Sequence, residues 1–128
     1  MQVKCYWLLN HPILDVQKSD LEKNFGVNEF VMPSEDVATL WGNVPTSEVI
    51  LEDYFKAIES WLKDASTSDF VVIQGEPTAA FKIVSYLLKR GVTVLAGITE
   101  RRSIEKTESG KVIKTSVFEH VRFRKYSV

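Results

Sequence analysis

The strongest constraint on this chain is an alternation of short apolar runs with helix-period segments, each closed by glycine, proline or a polar cluster. Val3 to Leu9 is almost continuously apolar and ends at Asn10-His11-Pro12, as a strand buried on both sheet faces requires. Asp15 to Phe25 carries Val16, Leu21 and Phe25 at helical spacing and stops at Gly26, a C-cap signal. Glu29 to Met32 is a short second strand before Pro33, and Ser34 opens a brief helix that reaches Trp41 and breaks at Gly42. From Ile50 to Ala65, residues Leu51, Tyr54, Phe55, Ile58, Trp61, Leu62 and Ala65 recur at three and four, an amphipathic helix.

The third strand runs from Phe70 to Gln74, and Gly75-Glu76-Pro77-Thr78 leads into a helix with Pro77 at its first position and Gly91 at its end. Val92 to Ile98 is the fourth strand. Ser109-Gly110 reads as the tight turn of a hairpin joining Ile104–Glu108 to Val112–Phe123. This order predicts an α/β, Rossmann-like domain over residues 1–128. Its sheet is mainly parallel, with helices on both faces and a C-terminal antiparallel hairpin.

Length and chemistry narrow the function. At 128 residues the chain fits one ordinary domain. No apolar run approaches the ~18 residues of a membrane span, and Met1 leads straight into the first strand without a signal peptide. The single cysteine, Cys5, precludes an intrachain disulfide and is expected to be an inert buried thiol. Two histidines and no HExxH or CxxC leave no recognisable metal constellation. A reduced, cytoplasmic protein without cofactor is the expectation.

The net charge of -1 conceals an asymmetry: residues 1–100 hold 8 Lys/Arg against 14 Asp/Glu, whereas residues 101–128 hold 8 against 3. Four of the five arginines, Arg101, Arg102, Arg122 and Arg124, lie in the last stretch. Arginine suits bidentate phosphate contacts. A chain this weakly charged overall points to a small, locally bound anion rather than DNA.

Ligands of such sheets sit at the carboxyl ends of the parallel strands, which makes Asn10-His11, Gln74-Gly75-Glu76 and Thr99-Glu100-Arg101-Arg102 candidates. Gly75 permits close backbone approach and Thr78 offers a hydroxyl at a helix N-terminus, although a plain strand-to-helix turn needs the same glycine. Glu76 opposes an anion there unless it caps the helix or turns away. Strand alternation places Phe118, His120, Arg122 and Arg124 on one face, with Val117, Val121 and Phe123 sealing the core on the other. Same-face neighbours are about 6.6 Å apart, a spacing at which two arginines hold adjacent phosphates. The competing reading is an edge strand charged against aggregation. Trp41, Trp61 and Tyr54 sit at helical spacing and are expected in the core.

Asn10-His11-Pro12, Val71-Val72-Ile73-Gln74-Gly75-Glu76, Thr99-Glu100-Arg101 and above all Phe118-Glu119-His120-Val121-Arg122-Phe123-Arg124-Lys125-Tyr126 resemble the small CRISPR-associated Csx family numbered twenty. That resemblance implies a CARF-related homodimer acting as a ring nuclease on cyclic oligoadenylate, with the four-adenosine ring foremost. Attack of a ribose 2′-hydroxyl on its neighbouring phosphate would leave a 2′,3′-cyclic phosphate without metal. His11 or His120 would move the proton, and Arg101, Arg102, Arg122 and Arg124 would clamp phosphates. Asn10, Gln74, Gly75 and Thr99 would orient the ligand, with Thr78 as a further donor. A module that binds the ring without cleaving it uses the same arginines, and a protein-interaction domain uses none of them.

Overall fold

The computed structural model describes residues 2–128, so Met1, expected to lead into the first strand, lies outside the described residues. The elements are β1 (Lys4–Leu8), α1 (Asp15–Phe25), β2 (Glu29–Val31), α2 (Glu35–Gly42), α3 (Glu52–Trp61), β3 (Phe70–Ile73), α4 (Pro77–Lys89), β4 (Thr93–Glu108) and β5 (Lys111–Lys125). One five-stranded sheet has the order β2-β1-β3-β4-β5. The first four strands run parallel and β5 is antiparallel to β4. The architecture is mixed α/β, as the alternation of elements predicts.

Alternating strand residues divide the core in two. Tyr6, Leu8, Val71, Ile73 and Val94 face α2, α3 and α4. Cys5, Trp7, Val72, Leu95 and Phe123 face Leu21 of α1 on the opposite side. Each fully buried large apolar side chain contributes about 1.5–3 kcal/mol over its exposed state. Cys5 is fully buried, and desolvation pushes its thiol up to about 12, partly offset by a backbone hydrogen bond from Val72. Trp41 is buried, while Trp61 and Tyr54 pack partly buried against the same core. Among the described residues no helix is long and apolar enough to cross a membrane.

Local signals set the element ends. Ser34 Oγ accepts the Val37 amide at the start of α2, and Gly26 closes α1 in the left-handed region. Arg90, the arginine outside the basic stretch, donates to the carbonyls of Leu62, Lys63 and Ala65 and so caps the turn that follows α3. That helix is shorter than its apolar repeat. Leu51 is its N-cap and stays 72% exposed, because the ends of a repeat pack only if the body continues beneath them. Val16 is likewise 54% exposed, and its neighbour Gln17 turns inward to accept the Leu14 amide.

Candidate functional site

The expected fourth strand and first hairpin arm are one strand. β4 continues for sixteen residues through Thr99-Glu100-Arg101-Arg102, so this segment is not a loop after a strand exit. It pairs with β5 along its length and forms a two-stranded ribbon whose residues are nearly all exposed. Ser109 and Gly110 both take positive φ at the tip, the geometry of a two-residue turn matched to strand twist.

The ladder breaks once, between Ile98 and Thr99. Ile98 pairs with Arg122 and Thr99 with His120, leaving Val121 as an extra residue on β5. Such a bulge reverses the inside-outside alternation beyond it. Phe123 opposite Gly97 therefore points to the α1 side, and so does His120 opposite Thr99. Arg124 opposite Ala96 and Arg122 opposite Ile98 point to the α4 side. The expected single face of Phe118, His120, Arg122 and Arg124 is thus split, and Val121 is 37% exposed instead of sealing the core. A sequence period of two carries no mark of the inserted residue.

The arginines separate into two groups. Arg101 donates from Nε and Nη2 to Ser116 Oγ at 3.1 and 3.0 Å, and Arg102 Nε lies 3.2 Å from Glu119 Oε2. Both are held by neighbours on the ribbon. Arg122 and Arg124 are exposed and have no side-chain partner among the described residues.

The histidines also differ. His120 has a 3% exposed side chain, its Nε2 lies 2.7 Å from Asp20 Oδ2 on α1, and its ring rests 4.6 Å from that of Phe123. A carboxylate only accepts, so Nε2 carries the hydrogen, while the buried Nδ1 has no partner. His120 is therefore enclosed and off the arginine face. His11 is exposed. Its Nδ1 lies 3.2 Å from the Pro12 carbonyl, which can only accept, so the Nε2 lone pair is left outward. The Trp7 indole fixes this loop by donating to the His11 carbonyl at 2.9 Å.

The gap between the ends of β1 and β3 is filled by α2. Trp41 Nε1 donates to the Gln74 carbonyl at 2.9 Å, and a Cβ on Gly75 would fall 2.7 to 2.9 Å from that indole. Gly75 therefore makes room for Trp41 rather than for a phosphate. Asn10 lies against Gly42, its Oδ1 3.4 Å from the site of a Cβ there. Glu76 caps α4, accepting the Thr78 and Ala79 amides and the Thr78 hydroxyl. These side-chain and amide bonds hold its carboxyl below the usual value. The helix terminus expected to receive an anion is thus occupied by its own carboxylate, and Thr78 is engaged with it. The Gln74 side chain stays exposed.

Beside this plug lies a cavity of about 600 Å³ between α4, the end of β3 and the first half of β4. Phe81, Val84 and Leu88 form its helical wall, Ala96 and Gly97 its floor, and Tyr126 its far side. The short side chain of Ala96 leaves this part of the α4 face open, whereas a Cβ on Gly97 would meet Phe123 on the opposite face. Arg124 stands directly opposite Ala96 on the neighbouring strand, but neither Arg122 nor Arg124 is among the residues that line the cavity. Sequence reasoning missed Asp20, Phe81 and Tyr126, whose placement depends on long-range packing and carries no local signal. Among the described residues no group of three His, Cys, Asp or Glu is placed to hold a metal ion.

Fold and site together define an α/β protein whose last two strands extend as a hairpin ribbon beyond the carboxyl ends of its parallel strands. The chain belongs to the family described as the uncharacterized protein MJ1673 family, whose model matches residues 3–124. It is 33% identical over 125 residues to uncharacterized protein MJ1673 of Methanocaldococcus jannaschii, covering 97% of each chain. No solved structure matches it.

Proposed function

We propose that this protein is a cytoplasmic, Rossmann-like relative of CARF domains that binds cyclic oligoadenylate, foremost the four-adenosine ring, and opens it to end type III CRISPR signalling. The observation that carries the reading is the pair Arg122 and Arg124, exposed and unpaired on the edge strand, with Arg124 directly opposite Ala96 of the cavity floor. The edge position of β5 accounts for charge at these places, but the use of arginine rather than lysine supports phosphodiester contacts. β1 and β5 stand three strand spacings apart in the sheet, about 14 Å. A ligand that meets both His11 and Arg122 must bridge β3 and β4, as a ring of several nucleotides does and an inorganic anion does not.

In the cleavage step a ribose 2′-oxygen bonds to the adjacent phosphorus and the 5′-oxygen leaves, giving a 2′,3′-cyclic phosphate and a 5′-hydroxyl. His11 Nε2 accepts the 2′-hydroxyl proton, the leaving oxygen takes a proton from solvent, and the arginines stabilise phosphoryl charge. The step needs no metal. Two chains share one ring about a two-fold axis, so each supplies one arginine pair.

A second reading, binding without cleavage, is favoured by the confinement of His120 against Asp20. Chromatography after incubating pure protein with cyclic tetra-adenylate in EDTA decides between them. Linear products ending in 2′,3′-cyclic phosphate, slowed about 10²–10⁴-fold by His11→Ala, support the nuclease. Bound ring recovered intact supports the sponge, and absence of binding overturns both.

A further inference from the structure

We infer that the cavity between α4 and β4 is a purine subsite, with Phe81 and Tyr126 as its aromatic walls and Gln74 and Ser85 facing the base edge. The inference rests on the proposed function for the phosphates but has its own geometric basis. Pro77, Phe81 and Ser85 follow one another at four-residue spacing along α4, and Ala80, Val84 and Leu88 form the adjacent row, so one helix stripe lines the hollow. Phe81 is 74% exposed, which leaves its ring available to an occupant of the cavity. Tyr126 is fixed opposite by its amide, which donates to the Val94 carbonyl at 2.9 Å.

The shape and chemistry suit a flat heteroaromatic ring. The volume, about 600 Å³, falls within the usual range of small-ligand sites, and such sites are mostly apolar with a few polar groups that fix orientation. Gln74 offers both an amide donor and an acceptor, and Ser85 a hydroxyl of either role. An aliphatic occupant would make no use of these groups. Charge is close by: Arg124 lies opposite Ala96 of the floor on the neighbouring strand, with Arg122 two residues back, so cations adjoin the subsite on the side of β5.

The test uses two probes on the full chain, followed by backbone amide NMR and by titration. Neutral adenosine should shift the amides of Phe81, Ser85, Ala96, Gly97 and Tyr126, with an affinity unaffected by salt or by Arg122→Ala. Stacking on an aromatic side chain carries an effect of about 5- to 150-fold in affinity. Phe81→Ala and Tyr126→Ala should each weaken adenosine and cyclic tetra-adenylate by that range, and Tyr126→Phe should restore stacking. Phe81 is largely exposed, so its removal leaves the fold intact. Adenosine binding at the cavity with no binding of the ring would overturn the ring ligand and keep the purine subsite. Ring binding weakened by the arginine variants but unchanged by Phe81→Ala and Tyr126→Ala would overturn the subsite and keep the function. Shifts produced only by an aliphatic probe such as decanoate would also overturn it.

Discussion

His120 and Asp20, one hundred residues apart in the chain, meet through an Nε2–Oδ2 contact of 2.7 Å that ties the base of the ribbon to α1. The histidine ring packs tilted at 47° against that of Phe123, and the carboxylate also accepts Asn24 Nδ2 through its other oxygen. This arrangement fixes the bulged end of β5 against the body. It also removes His120 from any reacting phosphate on the α4 side.

Asp20→Ala would leave the His120 ring buried with neither nitrogen paired. An unsatisfied buried group costs about 1–3 kcal/mol, so urea denaturation should show a loss of that order. His120→Ala should register in the same assay more than in single-turnover cleavage by the folded fraction. A variant of wild-type stability whose cleavage step is slowed 100-fold would return His120 to a chemical role.

Gly75 and Trp41 give a second stability prediction. A methyl group on Gly75 must displace an indole that is 1% exposed and hydrogen-bonded to the Gln74 carbonyl. Overpacking of this kind costs about 1–3 kcal/mol, and Gly75→Ala should lower the denaturation midpoint accordingly. Combining it with Trp41→Leu should give less than the sum of the two single losses, because the clash disappears with the ring. Strict additivity would show that Gly75 is needed for another reason.

The element order was legible in the residues because the relevant signals are local. Glycines after α1 and α4, Pro77 at a helix start and Ser109-Gly110 at a turn act within a few residues. The bulge at Val121 was not legible, since the alternation from Phe118 to Arg124 reads the same with or without an extra unpaired residue. That one insertion moved His120 and the two arginines to opposite faces. The continuity of β4 was hidden for a similar reason: Glu100-Arg101-Arg102 is polar enough for a loop, yet a ribbon exposed on both faces tolerates charge at every position. Asp20 could not be linked to His120 from spacing at all. The capping role of Glu76 was visible, being a contact over three residues.

Acid sensitivity follows from two carboxylates. Glu76 is held below its ordinary value of 4.5 by the Thr78 hydroxyl and the Ala79 and Thr78 amides. For Asp69, burial acts to raise the value, but bonds from the Ser66 amide, the Lys4 amide and the Ser66 hydroxyl outweigh it and leave the group below 3.8. Both are more acidic folded than unfolded. Their stabilisation is therefore complete above the unfolded values and declines as pH falls through the lowered folded ones. Stability measured from pH 7 to pH 2 should fall below about pH 4.5, with a shallower decline in Glu76→Gln. An identical acid limb in that variant would remove Glu76 from the account.

The unpaired arginines make the ligand reading quantitative. Each phosphate contact on a single-stranded nucleic acid lowers the slope of log affinity against log salt by about 0.7. Removing Arg122 and Arg124 together should flatten the slope for cyclic tetra-adenylate by about 1.4 for each arginine pair that the ring touches. Arg101→Ala and Arg102→Ala should change it less, because their guanidinium groups are already held by Ser116 and Glu119 on the ribbon. Lysine at 122 and 124 would keep the charge but lose the planar fork, so affinity should fall while the slope is retained. Titrations at several salt concentrations separate the two effects. Equal slopes for wild type and the double alanine variant would mean that Arg122 and Arg124 do not hold phosphate.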